Sequence, residues 1–316
     1  MHLPKHFISC DWGTTNFRIK VVETETLEVL FEHKNPEGIR PLYEQYTQQT
    51  VVSQHHFFAN FLKTQVDFLP VGYQSCPIVL SGMASSSIGL EELDYADFPF
   101  NQSGEDLLCR EMTLHNGLVV FLVSGVKSTT GMMRGEETQA VGLADYLAPH
   151  GTGILILPGT HSKHIQYDQG SFTSLTNFMT GELFDVLSKK SILANSVVEG
   201  PWTPIAETAF KEGLALGFEG QLSASLLLVR ANHVIQHSAK EDNYYLLSGM
   251  LVGDELSSLK SYKDKIFLAA PKPIFSIYKL GLETFFDPQQ LVFFDDKVLD
   301  YALLLGQRKI LAYDGK

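Results

Sequence analysis

The sequence is poor in cysteine and in basic residues, and both deficits exclude classes of protein. The three cysteines, Cys10, Cys76 and Cys109, are widely spaced and form no C-x-x-C pair. They therefore indicate neither a disulfide framework nor a zinc site. Lysine and arginine together number 24 against 36 aspartates and glutamates, which gives a net charge of −12. This balance argues against nucleic acid as the main partner, because binding a phosphate backbone requires a basic face.

Long apolar runs are also missing. No run approaches the roughly 20 residues that span a bilayer, and residues 1–6 lack the basic and apolar regions of a secretory signal. We therefore expect a cytoplasmic protein without a membrane partner. The chain has 316 residues, of which 44% are hydrophobic. That is enough apolar mass for about two domains of ordinary size.

Two common nucleotide-binding motifs are absent. The sequence has no Walker A loop of the form G-x-x-x-x-G-K-[ST], and no G-x-G-x-x-G follows a predicted strand. These absences disfavour a P-loop fold and a dinucleotide-binding fold. Nucleotide binding, if present, requires a different arrangement of glycines and hydroxyls.

The sequence does contain two similar Gly-Thr turns, each flanked by short apolar runs that predict a β-hairpin. The first is Gly13-Thr14 and the second is Gly159-Thr160, which follows 146 positions later. Glycine lets the backbone approach a phosphate oxygen, and main-chain N–H groups and hydroxyls donate to it. The pair therefore indicates two related lobes facing a shared polyphosphate. The Asp11 carboxylate would serve the accompanying magnesium.

Strands and helices alternate along the predicted chain. Short apolar runs predict strands at 7–10, 17–22, 77–80, 118–123, 154–157, 164–167 and 244–247, and helical spacing marks 41–68 and 136–147. Pro149, His150 and Gly151 end the second helical segment. We place a domain boundary there. The N-terminal lobe, 1–148, would carry the first hairpin and the sugar-acid side, and the C-terminal lobe, 149–316, the second hairpin and the adenosine side.

Five ordered blocks cover most of the chain from Asp11 to about Leu256. They resemble the signature blocks of 2-dehydro-3-deoxygalactonokinases, a family of the actin and hexokinase superfamily: DWGTTN at 11–16, MRGEETQ at 133–139, PGTHSK at 158–163, FMTGEL at 178–183 and LSGMLVG at 247–253. The resemblance implies an α/β, two-lobed, ribonuclease H-like fold with ATP in the interlobe cleft. It also implies ATP-dependent phosphorylation of 2-dehydro-3-deoxy-D-galactonate at its terminal hydroxyl, giving the 6-phosphate in galactonate catabolism.

This resemblance assigns most of the candidate residues to the binding of the nucleotide and its magnesium. Asp11 would order the metal. The residues expected around the phosphates and the nucleoside are Gly13, Thr14, Thr15, Asn16, Gly159, Thr160, Lys163, Gly181, Glu182, Gly249 and Met250. Those expected on the sugar-acid side are Gly82, Met83, Ser86 and Arg134, whose planar guanidinium can hold a carboxylate through two hydrogen bonds.

Glu136 and Glu137 begin the predicted helix that follows Arg134-Gly135. A general base that accepts the hydroxyl proton must face the substrate, and related sugar kinases have an acidic residue at the start of the corresponding helix. We take Glu136 as the first choice and Glu137 as the second. The alternative is purely structural, because acidic residues in a first helical turn favour the positive end of the helix dipole.

Two segments depart from the family pattern. In the loop 82–90, Ser85 stands where the family has glycine and Leu90 where it has tryptophan, and residues 269–273 replace a glycine-containing turn. Two other functions stay open: a kinase for another 2-keto-3-deoxy sugar acid, such as 2-dehydro-3-deoxygluconate, and an actin-like or heat-shock-like ATP-binding switch. A homodimer is one candidate oligomeric state.

Overall fold

The computed structural model describes residues 3–314, which form two compact units. The first unit contains the described chain up to Thr152, together with 166–175 and the segment that starts at Lys297. The second contains 153–165 and 176–296. The division into 1–148 and 149–316 stays a prediction; the first crossing between the two compact units follows Thr152, and both units are discontinuous in sequence. Residues 1–2 of the segment 1–6 and residues 315–316 lie outside the described residues.

The first unit begins with a hairpin and carries most of the short strands. Its elements up to Leu147 are β1 His6–Trp12, β2 Phe17–Glu23, β3 Val29–Asn35, α1 Ile39–Tyr46, α2 Gln54–Val66, β4 Ile78–Gly82, β5 Ala96–Asp97, β6 Phe100–Asn101, β7 Cys109–Thr113, β8 Val119–Val123, β9 Val126–Lys127, β10 Met132–Met133 and α3 Glu136–Leu147.

Strand β1 lies in the middle of a mixed sheet of order β3-β2-β1-β4-β8-β7. It is antiparallel to β2 and parallel to β4. Such a central strand is buried on both faces, and even the polar Ser9 of β1 is buried. Trp12 at its end packs against the rings of Phe17, Phe58 and Phe61, with centroids 5.0 to 5.7 Å apart. This aromatic cluster fixes the end of β1, where the first Gly-Thr turn begins.

The second unit combines a sheet with a group of helices. The remaining elements of the chain are β11 Thr152–Leu157, β12 Ser162–Asp168, β13 Ser171–Phe178, α4 Thr180–Lys190, α5 Pro204–Phe218, α6 Leu222–Val234, α7 Lys240–Ser257, β14 Lys265–Ala269, α8 Ile274–Phe285, β15 Leu291–Phe294 and α9 Asp296–Asp314. The sheet runs β15-β14-β11-β12-β13, with β14 parallel to both β11 and β15. Residues 166–175 of β12 and β13 belong to the first unit, where β13 pairs with β6.

Helix α9 returns to the first unit and is fixed there by polar and backbone contacts. The buried Gln307 amide donates to the carbonyl oxygens of Cys10 and Val79 and to the Ser81 hydroxyl. A Cβ atom at Gly142 of α3 would lie 1.7 Å from the Ala302 carbonyl oxygen of α9. Only a residue without a side chain permits such an approach.

The strand predicted at 244–247 is wrong, because these residues lie inside the 18-residue helix α7. Most of α7 is buried, so its apolar residues form a continuous run without helical spacing. A buried run of this kind does not distinguish a strand from a helix. The single helical stretch expected at 41–68 is also interrupted, forming α1 and α2 with a connecting segment at 47–53. The helix expected at 136–147 agrees with α3.

Helices α5 and α7 touch through their backbones. A Cβ atom at Gly213 would lie 2.1 Å from the Leu246 carbonyl oxygen, and one at Gly249 would lie 2.1 Å from the Phe210 carbonyl oxygen. Gly217 and Gly253 repeat this arrangement one turn further along their helices. The four glycines therefore set the distance between the two helices. Within residues 3–314, no helix combines the length and the apolar character needed to cross a membrane.

This packing predicts a stability cost for Gly249→Ala. Alanine favours a helix by about 1 kcal/mol over glycine, but its methyl group would overlap the backbone of α5. Overpacking against an atom that cannot rotate away costs about 3 kcal/mol. We expect a net loss of about 2 kcal/mol, measured by urea unfolding. Gly72→Ala is the control, because a Cβ atom there meets nothing within 4 Å. Equal stability of the two variants would contradict the interpretation.

Candidate functional site

The first Gly-Thr turn joins β1 to β2 and is closed by the Gly13 N–H, which donates to the Asn16 carbonyl oxygen at 2.9 Å. Thr15 and Asn16 are exposed at the turn, and Thr14 is half-buried. The turn borders an open cavity of about 440 Å³, lined also by Asp11, Arg18 and Lys34. The turn and two cationic side chains thus border one space, although Arg18 is paired with Asp300 and Lys34 with Glu32.

Helix α1 holds this turn in place. The N–H groups of Ile39 and Arg40 donate to the carbonyl oxygens of Gly13 and Thr14, each at 3.0 Å. A Cβ atom at Gly38 would lie 2.4 Å from the Thr15 nitrogen. Sequence reasoning missed Gly38. The signal was a glycine just before a predicted helix, but no local pattern indicated which turn it contacts.

The second Gly-Thr turn is held by the same device. It joins β11 to β12, and the Glu182 N–H in the first turn of α4 donates to the Thr160 carbonyl oxygen at 3.0 Å. A Cβ atom at Gly181 would lie 2.5 Å from the Gly159 carbonyl oxygen. Each half of the chain therefore contains, in sequence order, a strand, a Gly-Thr turn, two strands and a helix that begins against the turn. This repetition agrees with the two related lobes expected from the sequence.

Polar side chains of the second turn contact one another and the backbone of the turn. The Lys163 ammonium is buried and donates to the His161 carbonyl oxygen at 2.6 Å. The His161 ring lies 2.5 Å from a Glu182 carboxylate oxygen, and both side chains are about half exposed. The structure thus places Lys163 beneath the turn and Glu182 beside it.

Asp11 lies at the end of β1, directly opposite Arg18 of β2. Burial raises the pKa of Asp11, and the Arg18 charge partly opposes this effect. The negative charge of Glu136 raises the pKa of Asp11 slightly further.

The loop after β4 and the start of α3 come together around two glycines. A Cβ atom at Gly82 would lie 2.7 Å from the Trp12 carbonyl oxygen, and one at Gly135 would lie 3.1 Å from the Gly82 Cα atom. Both glycines have positive φ, +91° and +108°, a region that L side chains rarely adopt. The ends of β1 and β4 therefore meet the first turn of α3.

The two glutamates at the start of α3 have different environments. Glu137 is fully buried, and its carboxylate accepts hydrogen bonds from the Gly135 N–H at 2.7 and 2.9 Å. Burial, followed by the charge of Glu136, raises the pKa of Glu137 to about 8. Glu136 is half-buried and accepts a hydrogen bond from the Arg134 N–H at 3.1 Å. Of the two, only Glu136 has exposed surface.

Arg134 makes contacts that the sequence did not predict. Its guanidinium donates to the carbonyl oxygen of Ser85 and, at 2.6 Å, to the Ser85 hydroxyl. It also lies over the Tyr95 ring, 4.2 Å from the centroid. Of the other expected sugar-acid residues, Ser86 is buried and donates to the Met83 carbonyl oxygen at 2.7 Å. Part of the guanidinium is therefore committed to the loop after β4.

A second cavity, of about 210 Å³, lies within the second unit and is mainly apolar. Its lining comes from the turn at Gly159 and from helices α4, α7 and α8, and consists of Gly159, Thr180, Gly181, Phe184, Tyr244, Ser248, Leu251, Val252, Pro273, Ile274, Ile277 and Tyr278. Gly249 and Met250 are not among them. Gly249 faces α5, as described above, and Met250 is buried in the helical core. The geometry therefore gives no support for the expected contact of these two residues with adenosine, because both face neighbouring helices and not the cavity.

A sequence model of the 2-keto-3-deoxy-galactonokinase family matches residues 11–300. This match covers most of the chain, including both Gly-Thr turns and the start of α3. The chain belongs to this family.

Individual members of the family agree with this assignment. A probable 2-dehydro-3-deoxygalactonokinase from Rhizobium meliloti strain 1021 is 27% identical over 287 residues, which cover 88% of this chain and 89% of the relative. The 2-dehydro-3-deoxygalactonokinase of Escherichia coli K12 is 28% identical over 263 residues, 81% of each chain. A crystal structure of a candidate 2-dehydro-3-deoxygalactonokinase from Sinorhizobium meliloti superposes with a TM-score of 0.79 at 25% identity, covering 95% of this chain and 94% of that one.

Membership of the kinase family confirms the resemblance drawn from the five sequence blocks and the α/β, actin/hexokinase-like fold that it implied. ATP is the substrate that a kinase of this family implies. Its location in a cleft between lobes stays a prediction. The lining of the second cavity was mostly missed by sequence reasoning, because its apolar residues have the spacing of ordinary core positions.

The raised pKa of Glu137 predicts a pH-dependent stability. Between its usual value of 4.5 and about 8, the folded chain keeps a proton that the unfolded chain has lost. Stability due to this group is therefore complete below pH 4.5 and falls as the pH rises to about 8. Glu137→Gln cannot ionise and should remove this fall. We expect its free energy of unfolding, relative to wild type, to grow by at most about 1.4 kcal/mol per pH unit. Parallel pH profiles from urea unfolding would contradict the assignment.

Proposed function

We propose that this protein transfers the γ-phosphoryl group of ATP to the terminal hydroxyl of 2-dehydro-3-deoxy-D-galactonate, giving the 6-phosphate in galactonate catabolism. The observation that carries the proposal is the group formed in the first unit where the start of α3, with Glu136, meets the end of β1, with Asp11, beside the turn at 13–16. It offers a carboxylate for a metal, donors for phosphate oxygens and a second carboxylate for a proton. Positioning and charge stabilisation are the main requirements of phosphoryl transfer. The names of the two curated relatives support the choice of sugar acid.

Phosphate oxygens would be bound by the Gly-Thr turns. In the first unit, Gly13, Thr14, Thr15 and Asn16 offer backbone N–H groups and polar side chains at an exposed turn. In the second unit, Gly159 and Thr160 do the same, with Lys163 beneath them. Glu182 is occupied by His161, so a contact with the ribose would require that pair to open. We assign the nucleoside to the cavity of the second unit.

Magnesium fits the chemistry of Asp11. No group of three or more His, Cys, Asp or Glu side chains within residues 3–314 is arranged to hold a metal ion. Magnesium in nucleotide enzymes is typically bound by one or two carboxylates together with phosphate oxygens and water. Asp11 supplies one hard oxygen ligand beside a phosphate-binding turn, and when bound the metal would neutralise phosphate charge.

Glu136 is the proposed general base. A raised pKa is typical of functional groups and favours Glu137, whereas contact with a substrate hydroxyl requires exposed surface and favours Glu136. Geometry has priority over pKa, because a base must reach the proton that it accepts. Glu137 has no exposed surface. We therefore assign it to holding Gly135, through the two hydrogen bonds described above.

The sugar acid would contact the loop after β4, at Gly82, Met83 and Ser86, and the part of Arg134 that Ser85 leaves available. Binding the substrate carboxylate through the full planar fork would require Arg134 to release Ser85. The acceptor is thus a small-molecule sugar acid. Homodimer formation, a cytoplasmic location and the lack of a nucleic-acid partner stay predictions from composition and resemblance.

A coupled assay of ADP release tests the proposed reaction. The enzyme is given MgATP with 2-dehydro-3-deoxy-D-galactonate, with 2-dehydro-3-deoxygluconate or with no acceptor. We expect release with the first acid and little without an acceptor. Omission of magnesium or the substitution Asp11→Asn should reduce release to background, because an amide cannot balance the metal charge. A preference for the gluconate would reassign the substrate. Release independent of any acid would instead indicate the ATP-binding switch.

The role of Glu136 is tested by a pair of substitutions. Glu136→Gln should lower kcat by about 10²- to 10⁴-fold, the usual contribution of a positioned general base, with little change in ATP affinity. Glu137→Gln should be milder, because Glu137 lies beneath the site and not at its surface. Steady-state kinetics on both variants decide the matter. A larger loss of kcat in Glu137→Gln would make Glu137 the base.

A further inference from the structure

A buried carboxylate outside the group around Asp11 connects four elements of the second unit. Glu255 of α7 is 1% exposed. One of its oxygens accepts from the His164 ring of β12 at 3.0 Å, and the other accepts from the Tyr278 hydroxyl of α8 at 2.7 Å and from the Thr180 hydroxyl of α4. Tyr278 lies 3.1 Å from the Ser162 hydroxyl of β12. We call these five residues the Glu255 network.

The Glu255 network favours the ionised form of the Glu255 carboxylate. Burial alone would raise the pKa of Glu255, but the interactions with His164, Thr180 and Tyr278 outweigh it and lower the pKa below its usual value. Burial and the Glu255 charge raise the pKa of Tyr278 well above its usual range, so its hydroxyl stays a donor. An ionised carboxylate only accepts hydrogen bonds, so His164 must carry a proton on Nε2. Ser162 then donates to Tyr278.

A buried charge is costly, and replacing it with apolar groups is often neutral or stabilising. Stability of the fold alone is therefore a weak explanation for the network. The position of the Glu255 network suggests a different explanation. Thr180 and Tyr278 both line the 210 Å³ cavity, and Ser162 and His164 lie on the strand that leaves the second Gly-Thr turn. Thr180 also precedes Gly181, which contacts the Gly159 carbonyl oxygen of that turn.

We infer that Glu255 is a positioning residue for the nucleotide, which fixes the cavity walls at Thr180 and Tyr278 relative to the second Gly-Thr turn. The inference rests on the proposed function, because it takes the cavity as the nucleoside site. A nucleotide that binds the turn through its phosphates and the cavity through its base requires a fixed distance between them. Helices α4, α7 and α8 reach this cavity separately, and the Glu255 network joins them to β12.

Tyr278→Phe is the most selective test. It keeps the aromatic ring in the cavity wall and removes the hydrogen bonds to Glu255 and Ser162. We expect the Kd for ADP with magnesium, measured by calorimetry, to rise by about tenfold. The KM for ATP should rise in parallel, while the KM for the sugar acid stays unchanged, a division that general destabilisation would not produce.

Tyr245→Phe is the matched control. Tyr245, on α7, is buried like Tyr278. Its hydroxyl donates to the Gly200 carbonyl oxygen at 2.6 Å, but Tyr245 does not line the cavity. Its loss should lower the thermal unfolding temperature without changing the Kd for ADP. Thr180→Val and Thr180→Ser form a second pair, in which only the valine variant, which lacks the hydroxyl, should weaken ADP binding. This pair decides the matter if Tyr278→Phe does not fold.

Three results would overturn the inference. Wild-type affinity for ADP in both Tyr278→Phe and Thr180→Val would leave the network with a purely structural role. Equal weakening in Tyr278→Phe and Tyr245→Phe would attribute the effect to general destabilisation. Failure of the wild-type protein to bind ADP would reject the proposed function itself, and the inference with it.

Discussion

Backbone contact at glycine is the constraint on which the rest of the structure depends. Gly38 and Gly181 let helices α1 and α4 begin directly against the two Gly-Thr turns. Gly142 gives the same close contact between α3 and α9, and Gly213 and Gly249 between α5 and α7. A side chain at any of these positions would separate two backbones that now touch. The turns can present N–H groups and hydroxyls in a fixed arrangement because helices hold them from behind.

Two buried glutamates show how the same side chain acquires opposite properties. Glu137 is fully buried and near a second negative charge, so its pKa rises to about 8. Glu255 receives hydrogen bonds from a histidine and two hydroxyls, and its pKa falls. Desolvation raises both pKa values and hydrogen bonds lower both, but Glu136 raises the pKa of Glu137 further, whereas the interaction with His164 lowers that of Glu255. The first glutamate is therefore suited to holding a proton beside the candidate active site. The second is suited to holding surrounding groups at fixed distances.

Much of the fold and part of the candidate site could be predicted from the sequence. Local signals mark three elements. Apolar alternation marks the hairpin of β1 and β2, acidic residues mark the start of α3, and glycine beside threonine marks the second Gly-Thr turn. Residues 244–247 have no such local signal, because a mostly buried helix has no clear polar face to mark its period. The packing of Gly249 against α5 had no sequence signal either. A glycine looks alike in sequence whether it faces a ligand or the backbone of another helix.

The sequence by itself determined the family, the α/β class and the two Gly-Thr turns, because these depend on residues close together in the chain and on their order. Tertiary structure alone decided that Gly38 meets Thr15, that Ser85 occupies Arg134, and that Glu255 gathers His164, Thr180 and Tyr278. These partners are separated by up to 91 positions. Burial, neighbouring charges and hydrogen bonds set the charge state of a carboxylate, and burial exists only once distant segments have packed together.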